Sequence, residues 1–150
     1  MKKLYLITLL SLALCVSCAK KETDPEVIAM RGLVNRVVPE YSENIVLERL
    51  VNDTVDRFEI EMKRNKLVIR GNNANSMAVG LNHYLKYYCM AQYSWFKEEP
   101  LQIPATMPKV PAKISLSARV PERFFLNYCT LGYTLPWWGW SEWEHFIDWM

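Results

Sequence analysis

From Phe58 to Ile69 the chain alternates apolar and polar residues, a pattern that suits one backbone conformation. Phe58, Ile60 and Met62 fall on one side of an extended chain, and Glu59, Glu61 and Lys63 on the other. Arg64-Asn65 supplies a tight turn, Leu67 and Ile69 resume the apolar side, and Gly71-Asn72 ends the run. This predicts a β-hairpin with one wet face. Met77, Leu81, Tyr84, Leu85 and Tyr88 then recur on one side of a helix that Asn73 or Asn75 can cap. Gly80 lies inside that helix, where it costs about 1 kcal/mol relative to Ala. Such a glycine is tolerated where a helix must approach a sheet closely. A hairpin with one apolar face and an amphipathic helix bury those faces by stacking, so the expected class is α+β with two layers.

The flanks extend this unit. Val27, Met30, Val34 and Val37 stand near helical spacing between Glu26 and Val38, and Pro39 stops the run. Ile45, Leu47 and Arg49 alternate with Val46, Glu48 and Leu50, which suits a strand. From Tyr93 to Pro121 the chain is punctuated by Pro100, Pro104, Pro108, Pro111 and Pro121. Its composition is not that of a flexible linker. It reads as an extended connector lying along the first unit, with short strands at Leu101–Ile103 and Lys113–Ala118.

The last stretch, Arg123 to Met150, has a different character. Phe124, Phe125, Leu126 and Tyr128 favour a strand. Gly132 and Pro136 break it into an aromatic loop, Trp137-Trp138-Gly139-Trp140. Ser141 is placed to cap a helix, with Glu144 three residues on. Trp143, Phe146, Ile147 and Met150 then share a helical face. This is one βα unit, and alone it leaves its strand unpaired and its helix face uncovered. The sequence therefore reads as the front of a longer protein, since a (β/α)8 barrel needs about 250 residues. The expected division is 1–18 leader, 19–25 tether, 26–112 small α+β domain and 113–150 start of a barrel.

The N-terminus resembles a bacterial lipoprotein signal. Lys2 and Lys3 precede an uncharged, mostly apolar run from Leu4 to Val16, too short to span a bilayer. Ser17 stands before Cys18, and the chain then turns polar. Cleavage before Cys18 would put lipid on its thiol, although Cys15 stands where Leu is usual; the alternative is ordinary secretion. An exported, membrane-anchored protein is expected. Cys89 and Cys129 remain, and an oxidising compartment permits their pairing. Two separate buried thiols is the simpler reading.

Several chemistries lack their residues. The net charge is +2 and the basic residues are scattered, so no nucleic-acid surface is implied. The sequence holds no Gly-rich phosphate loop, G-x-S-x-G elbow or H-E-x-x-H pair. His83 and His145 stand without Cys or carboxylate at ligand spacing, so neither metal nor cofactor is expected.

The spacing of Asn127, Cys129, Thr130, Tyr133, Trp137, Trp138, Trp140, Trp143, Glu144, Ile147, Asp148, Trp149 and Met150 resembles the opening of the catalytic domain of glycoside hydrolase family 89. These are the α-N-acetylglucosaminidases. The resemblance implies a small N-terminal domain, then a (β/α)8 barrel that removes terminal α-linked N-acetylglucosamine with retention. It places the two catalytic glutamates on later barrel strands. Glu122, Glu142, Glu144 and Asp148 receive no catalytic role: Glu142 and Glu144 suit helix capping, and Asp148 a structural hydrogen bond. By the same resemblance Asn127 and Cys129 line the pocket for the terminal sugar, and Tyr133 can meet substrate. Alternatively Asn127 braces a loop and Cys129 fills core. Of Trp137, Trp138 and Trp140, at most one is expected to reach ligand. A second reading from another class is a non-catalytic glycan-binding lipoprotein that uses the Trp-rich loop as its platform.

Overall fold

A computed structural model describes residues 22–51, 54–97, 99–125, 128–133 and 135–150. Cys18 and Asn127 lie outside the described residues.

Helix α1 (Pro25–Val37) starts where Asp24 Oδ1 accepts from the Glu26 amide at 2.9 Å, with Pro25 in the first turn. Pro39 ends it and opens a 3-10 turn, Pro39–Asn44. Strands β1 (Ile45–Arg49), β2 (Arg57–Lys63) and β3 (Lys66–Gly71) follow. The β2–β3 hairpin turns through Arg64 (φ 47°) and Asn65 (φ 68°), both left-handed as a two-residue primed turn requires. Helix α2 (Ala74–Tyr87) is capped by Asn73, whose Oδ1 accepts from Ser76 N at 2.7 Å.

The sheet has the order β1-β3-β2-β4, with β4 at Ile114–Ser117. β1 runs parallel to β3, while β2 is antiparallel to both β3 and β4. Register puts Ile45, Leu47, Leu67, Ile69, Phe58, Ile60 and Ile114 on one face. α2 covers that face and α1 packs on α2. Ile60, Leu67, Ile69, Met77, Tyr84 and Leu85 form the sealed centre of the core. The two-layer α+β unit is the one the alternation predicted. Gly80 lies against the sheet: a β-carbon there would stand 3.1 Å from Ile69 Cγ2.

The opposite face is charged. Arg70, on the central strand, donates Nε to Glu48 Oε2 at 2.5 Å and Nη1 to Glu61. Lys113 Nζ reaches Glu59 Oε2 at 2.7 Å, and Lys63 Nζ reaches Glu61 at 3.1 Å. These ion pairs link β1, β2 and β3 across the face, and its charges discourage another sheet from stacking on it.

The proline connector does lie along the first unit. Tyr41 Oη donates to the Pro104 carbonyl at 2.5 Å and Tyr84 Oη to the Pro108 carbonyl at 2.7 Å. Val110 is buried, and Leu101, Ile103 and Met107 pack on the core. Burial raises the Tyr41 hydroxyl pKa to about 12 and shifts that of Tyr84 upward as well, so both stay protonated donors.

Three local expectations are corrected. Leu101–Ile103 is not a strand; its apolar side chains reach the core without ladder bonds. Of the strand expected at Phe124–Tyr128, the described residues form none: 124–125 are irregular and exposed, Tyr128 opens helix α3 (Tyr128–Tyr133), and 126–127 lie outside the described residues. β-propensity expresses packing against neighbouring strands, and among the described residues none lies beside this segment. The short strand expected at Lys113–Ala118 is present as β4, which pairs with β2 through Phe58–Leu116 and Ile60–Ile114. Finally, helix α4 (Trp140–Trp149) begins two residues early. Gly139 is its N-cap, and Glu142 rather than Glu144 reaches back, accepting from Gly139 N at 2.9 Å.

Candidate functional site

The candidate site is built from α3, a 3-10 turn at Leu135–Trp137, and the start of α4. Leu135 is buried and anchors the turn, and its carbonyl accepts from Trp138 N at 3.1 Å. Cys129 and Tyr133 lie four apart on α3, hence on one face of that short helix. Cys129 is exposed and Tyr133 is 83% exposed. Cys129 is thus not buried, as a core thiol would be, and no disulfide joins it to the buried Cys89.

The three loop tryptophans divide. Trp138 stands edge-on to Trp95 at 5.8 Å, to Trp143 at 5.3 Å and to Phe146 at 5.4 Å. It is packing, as aromatic clusters of this kind usually are. Trp137 and Trp140 are exposed.

α4 docks on the first unit through only part of the face that the apolar periodicity marked. Phe146 is buried, but Ile147 and Met150 are exposed. The docked face runs through His145, Phe146, Asp148 and Trp149. Arg36 of α1 grips Asp148 with both prongs, Nε to Oδ2 and Nη2 to Oδ1, each at 2.6 Å. The Asp148 side chain is only 4% exposed, and Glu144 lies 3.8 Å from Arg36. Asp148 therefore has the structural role expected of it. The bond to Asp148 raises the Arg36 pKa above its ordinary value. Tyr93 Oη meets His145 Nδ1 at 2.5 Å. Burial raises the Tyr93 hydroxyl pKa to about 12, which keeps it a neutral hydroxyl in this bond. His145 Nε2 is buried and meets no partner among the described residues.

The carboxylates do not form a hydrolytic pair. Glu142 caps α4, held below its ordinary pKa by its own amide and by the Ser141 hydroxyl. Asp148 is neutralised by Arg36. Sequence reasoning did not single out Arg36, Tyr93 and Trp95 as anchors of α4; the one available signal was an aromatic pair directly after α2, in a segment too apolar for a linker.

Residues 28–109 match the family model of the alpha-N-acetylglucosaminidase (NAGLU) N-terminal domain, and residues 123–150 that of the NAGLU tim-barrel domain. The chain belongs to the alpha-N-acetylglucosaminidase family. It is 34% identical over 82 residues to human alpha-N-acetylglucosaminidase, covering 55% of this chain and 11% of that protein. Its fold resembles a family 89 glycoside hydrolase from Clostridium perfringens in complex with 2-acetamido-1,2-dideoxynojirmycin. The TM-score is 0.77 at 34% identity, over 83% of this chain and 14% of that one. A second structure of the Clostridium perfringens enzyme, with two Glu-to-Gln substitutions, holds its substrate GlcNAc-alpha-1,4-galactose; it matches at 33% identity with the same TM-score and coverage. The chain thus spans about a ninth to a seventh of these relatives. Within the family, residues 28–109 are the N-terminal domain, and the candidate site falls in the segment matched to the barrel domain.

Proposed function

We propose that this chain is the N-terminal part of an exported, exo-acting α-N-acetylglucosaminidase that releases terminal α-linked N-acetylglucosamine from glycans. The observation that carries the reading is the order of the two family matches, N-terminal domain and then barrel domain, on one chain. Hydrolysis proceeds with retention through two glutamates on later barrel strands, outside residues 1–150. The paired Glu-to-Gln substitutions in the substrate-bound relative support a two-carboxylate mechanism. Asn127, Cys129 and Tyr133 contact the terminal sugar. An amide can both donate to and accept from a hydroxyl or acetamido group, and the exposure of Cys129 and Tyr133 leaves them free to do so. The boundary between the units falls after β4, between Ser117 and Arg123, because β4 belongs to the first sheet. Cys18 carries the lipid that tethers the protein to the cell envelope.

The test is to express the full-length protein and assay it on an aryl α-N-acetylglucosaminide. The expected product is N-acetylglucosamine that appears first as the α-anomer. Release of the β-anomer would overturn retention. Saturable binding of GlcNAc-α-1,4-galactose without turnover would favour a glycan-binding lipoprotein that uses the exposed Trp137 and Trp140. Palmitate labelling that survives Cys18→Ala would move the lipid elsewhere.

A further inference from the structure

We propose that the N-terminal unit positions the sugar site: Arg36, with Tyr93 and Trp95, clasps α4 and thereby fixes the loop that carries α3. This rests on the reading of Cys129 and Tyr133 as sugar contacts. Three independent contacts join the two parts of the chain on one side of α4. Arg36 holds Asp148 by a two-pronged ion pair, both bonds at 2.6 Å. Tyr93 holds His145 at 2.5 Å. Trp95 meets Phe146 at 5.2 Å and Trp138 at 5.8 Å, both edge-on. Positions 145 and 148 lie about one turn apart, so the polar grips fix the rotation of α4 about its axis as well as its depth. Trp138 lies between α4 and the 3-10 turn, and Trp95 pins it directly. Any rotation of α4 would therefore be felt at α3.

The ion pair is chemically committed. The Asp148 side chain is almost fully buried and its carboxylate faces one guanidinium at bonding distance. Removing Arg36 strands a buried negative charge, and the helix must shift to bring it to water. Arg rather than Lys suits the position, because only a planar fork meets both carboxylate oxygens at once. Arg36, Tyr93 and Trp95 act through their contacts with α4 and Trp138, so they are positioning residues.

The experiment uses the full-length protein carrying this segment. Arg36→Ala should lower kcat/KM on an aryl α-N-acetylglucosaminide by about 10- to 100-fold, the scale of a site displaced by an ångström or less. It should also weaken the near-ultraviolet circular dichroism contributed by the Trp95–Trp138 pair. Adding Asp148→Asn removes the stranded charge, so Arg36→Ala/Asp148→Asn should regain part of both signals. Tyr93→Phe deletes a single hydroxyl and should give a smaller loss in the same direction, which serves if Arg36→Ala does not fold. A lowered melting temperature with kcat/KM and the near-ultraviolet spectrum unchanged would overturn the proposal. If the wild-type protein turns over no substrate, the functional reading fails on its own. The spectrum then decides the clasp: loss in Arg36→Ala and recovery with Asp148→Asn support it, and an unchanged spectrum overturns it.

Discussion

Gly80 and Ile69 meet across the helix–sheet boundary so closely that a β-carbon on Gly80 would stand 3.1 Å from Ile69 Cγ2, with Phe58 Cδ2 at 3.2 Å. Ile69 is fully buried and Phe58 nearly so, so neither can yield freely in a close-packed core. Gly80→Ala sets two terms against each other. Helix propensity gains about 1 kcal/mol, while overpacking costs about 1–3 kcal/mol. The expected sum is a loss of about 1 kcal/mol, seen as a lower urea midpoint at unchanged m-value. A stabilised variant would show that the helix can lift off the sheet without loss.

Met90 offers the opposite case. It follows α2 in the left-handed region, φ 51°, while Ala91 N bonds back to the Leu85 carbonyl at 2.9 Å. This is a helix stop of the kind that normally takes glycine. The Met90 side chain is 82% exposed, so little packing is lost with it. Met90→Gly should raise stability by about 1 kcal/mol, the usual penalty for an L-residue in this region. Thermal unfolding of the pair checks it, and an unchanged or lower melting temperature counts against the backbone argument.

Acid should loosen the start of α2. Asp56 Oδ1 accepts from Asn73 Nδ2 at 2.8 Å, and Asn73 Oδ1 caps the Ser76 amide. The bond from Asn73, with the Arg123 ion pair, lowers the Asp56 pKa below its ordinary value of 3.8. A depressed folded-state pKa gives stability that is fully present above 3.8 and is lost as pH falls through the folded value. Asp56→Asn should therefore be less stable than wild type near neutrality. The gap should close as the pH falls to about 3 and below. Urea unfolding of both proteins across this range is the measurement, and a gap independent of pH would assign the effect to something other than the carboxylate charge.

The hairpin and the helix stacked on it were legible in the sequence because each signal was local: alternation from Phe58 to Met62, the Arg64-Asn65 turn, and Gly80 where a helix needed a flat side. The pairing of β4 with β2 was not legible, since Ile114 lies more than 50 residues from Ile60 and nothing local names a strand's partner. The docked face of α4 was misread in part for a related reason. Apolar periodicity marked Phe146, which is buried, but also Ile147 and Met150, which are exposed; the docked side instead carries Asp148 and His145, which Arg36 and Tyr93 meet. A polar residue's partner is a tertiary fact. The aromatic run at Phe124 and Phe125 read as a strand because β-propensity presupposes a sheet to join.

The sharpest division in the candidate site is between Tyr133 and Trp138, five residues apart. Tyr133 is 83% exposed on α3, so its truncation removes little packing. Trp138 stands edge-on to Trp95, Trp143 and Phe146, so truncation opens a hole in the cluster that joins loop and helix. Because Trp138 is half-buried, Trp138→Ala should cost less than the roughly 3–5 kcal/mol of a core tryptophan, but clearly more than an exposed substitution. Any effect on activity should then track the loss of fold. Tyr133→Ala should leave the melting temperature within about 1 °C, since exposed substitutions usually stay within about 0.5 kcal/mol. In the full-length protein it should nevertheless lower kcat/KM on an aryl α-N-acetylglucosaminide, by about 0.5–1.5 kcal/mol if the hydroxyl bonds the sugar. Tyr133→Phe separates the contributions: a loss equal to that of Ala assigns the effect to the hydroxyl, and a retained kcat/KM assigns it to the ring. Wild-type kinetics in both Tyr133 variants would remove this residue from the sugar site.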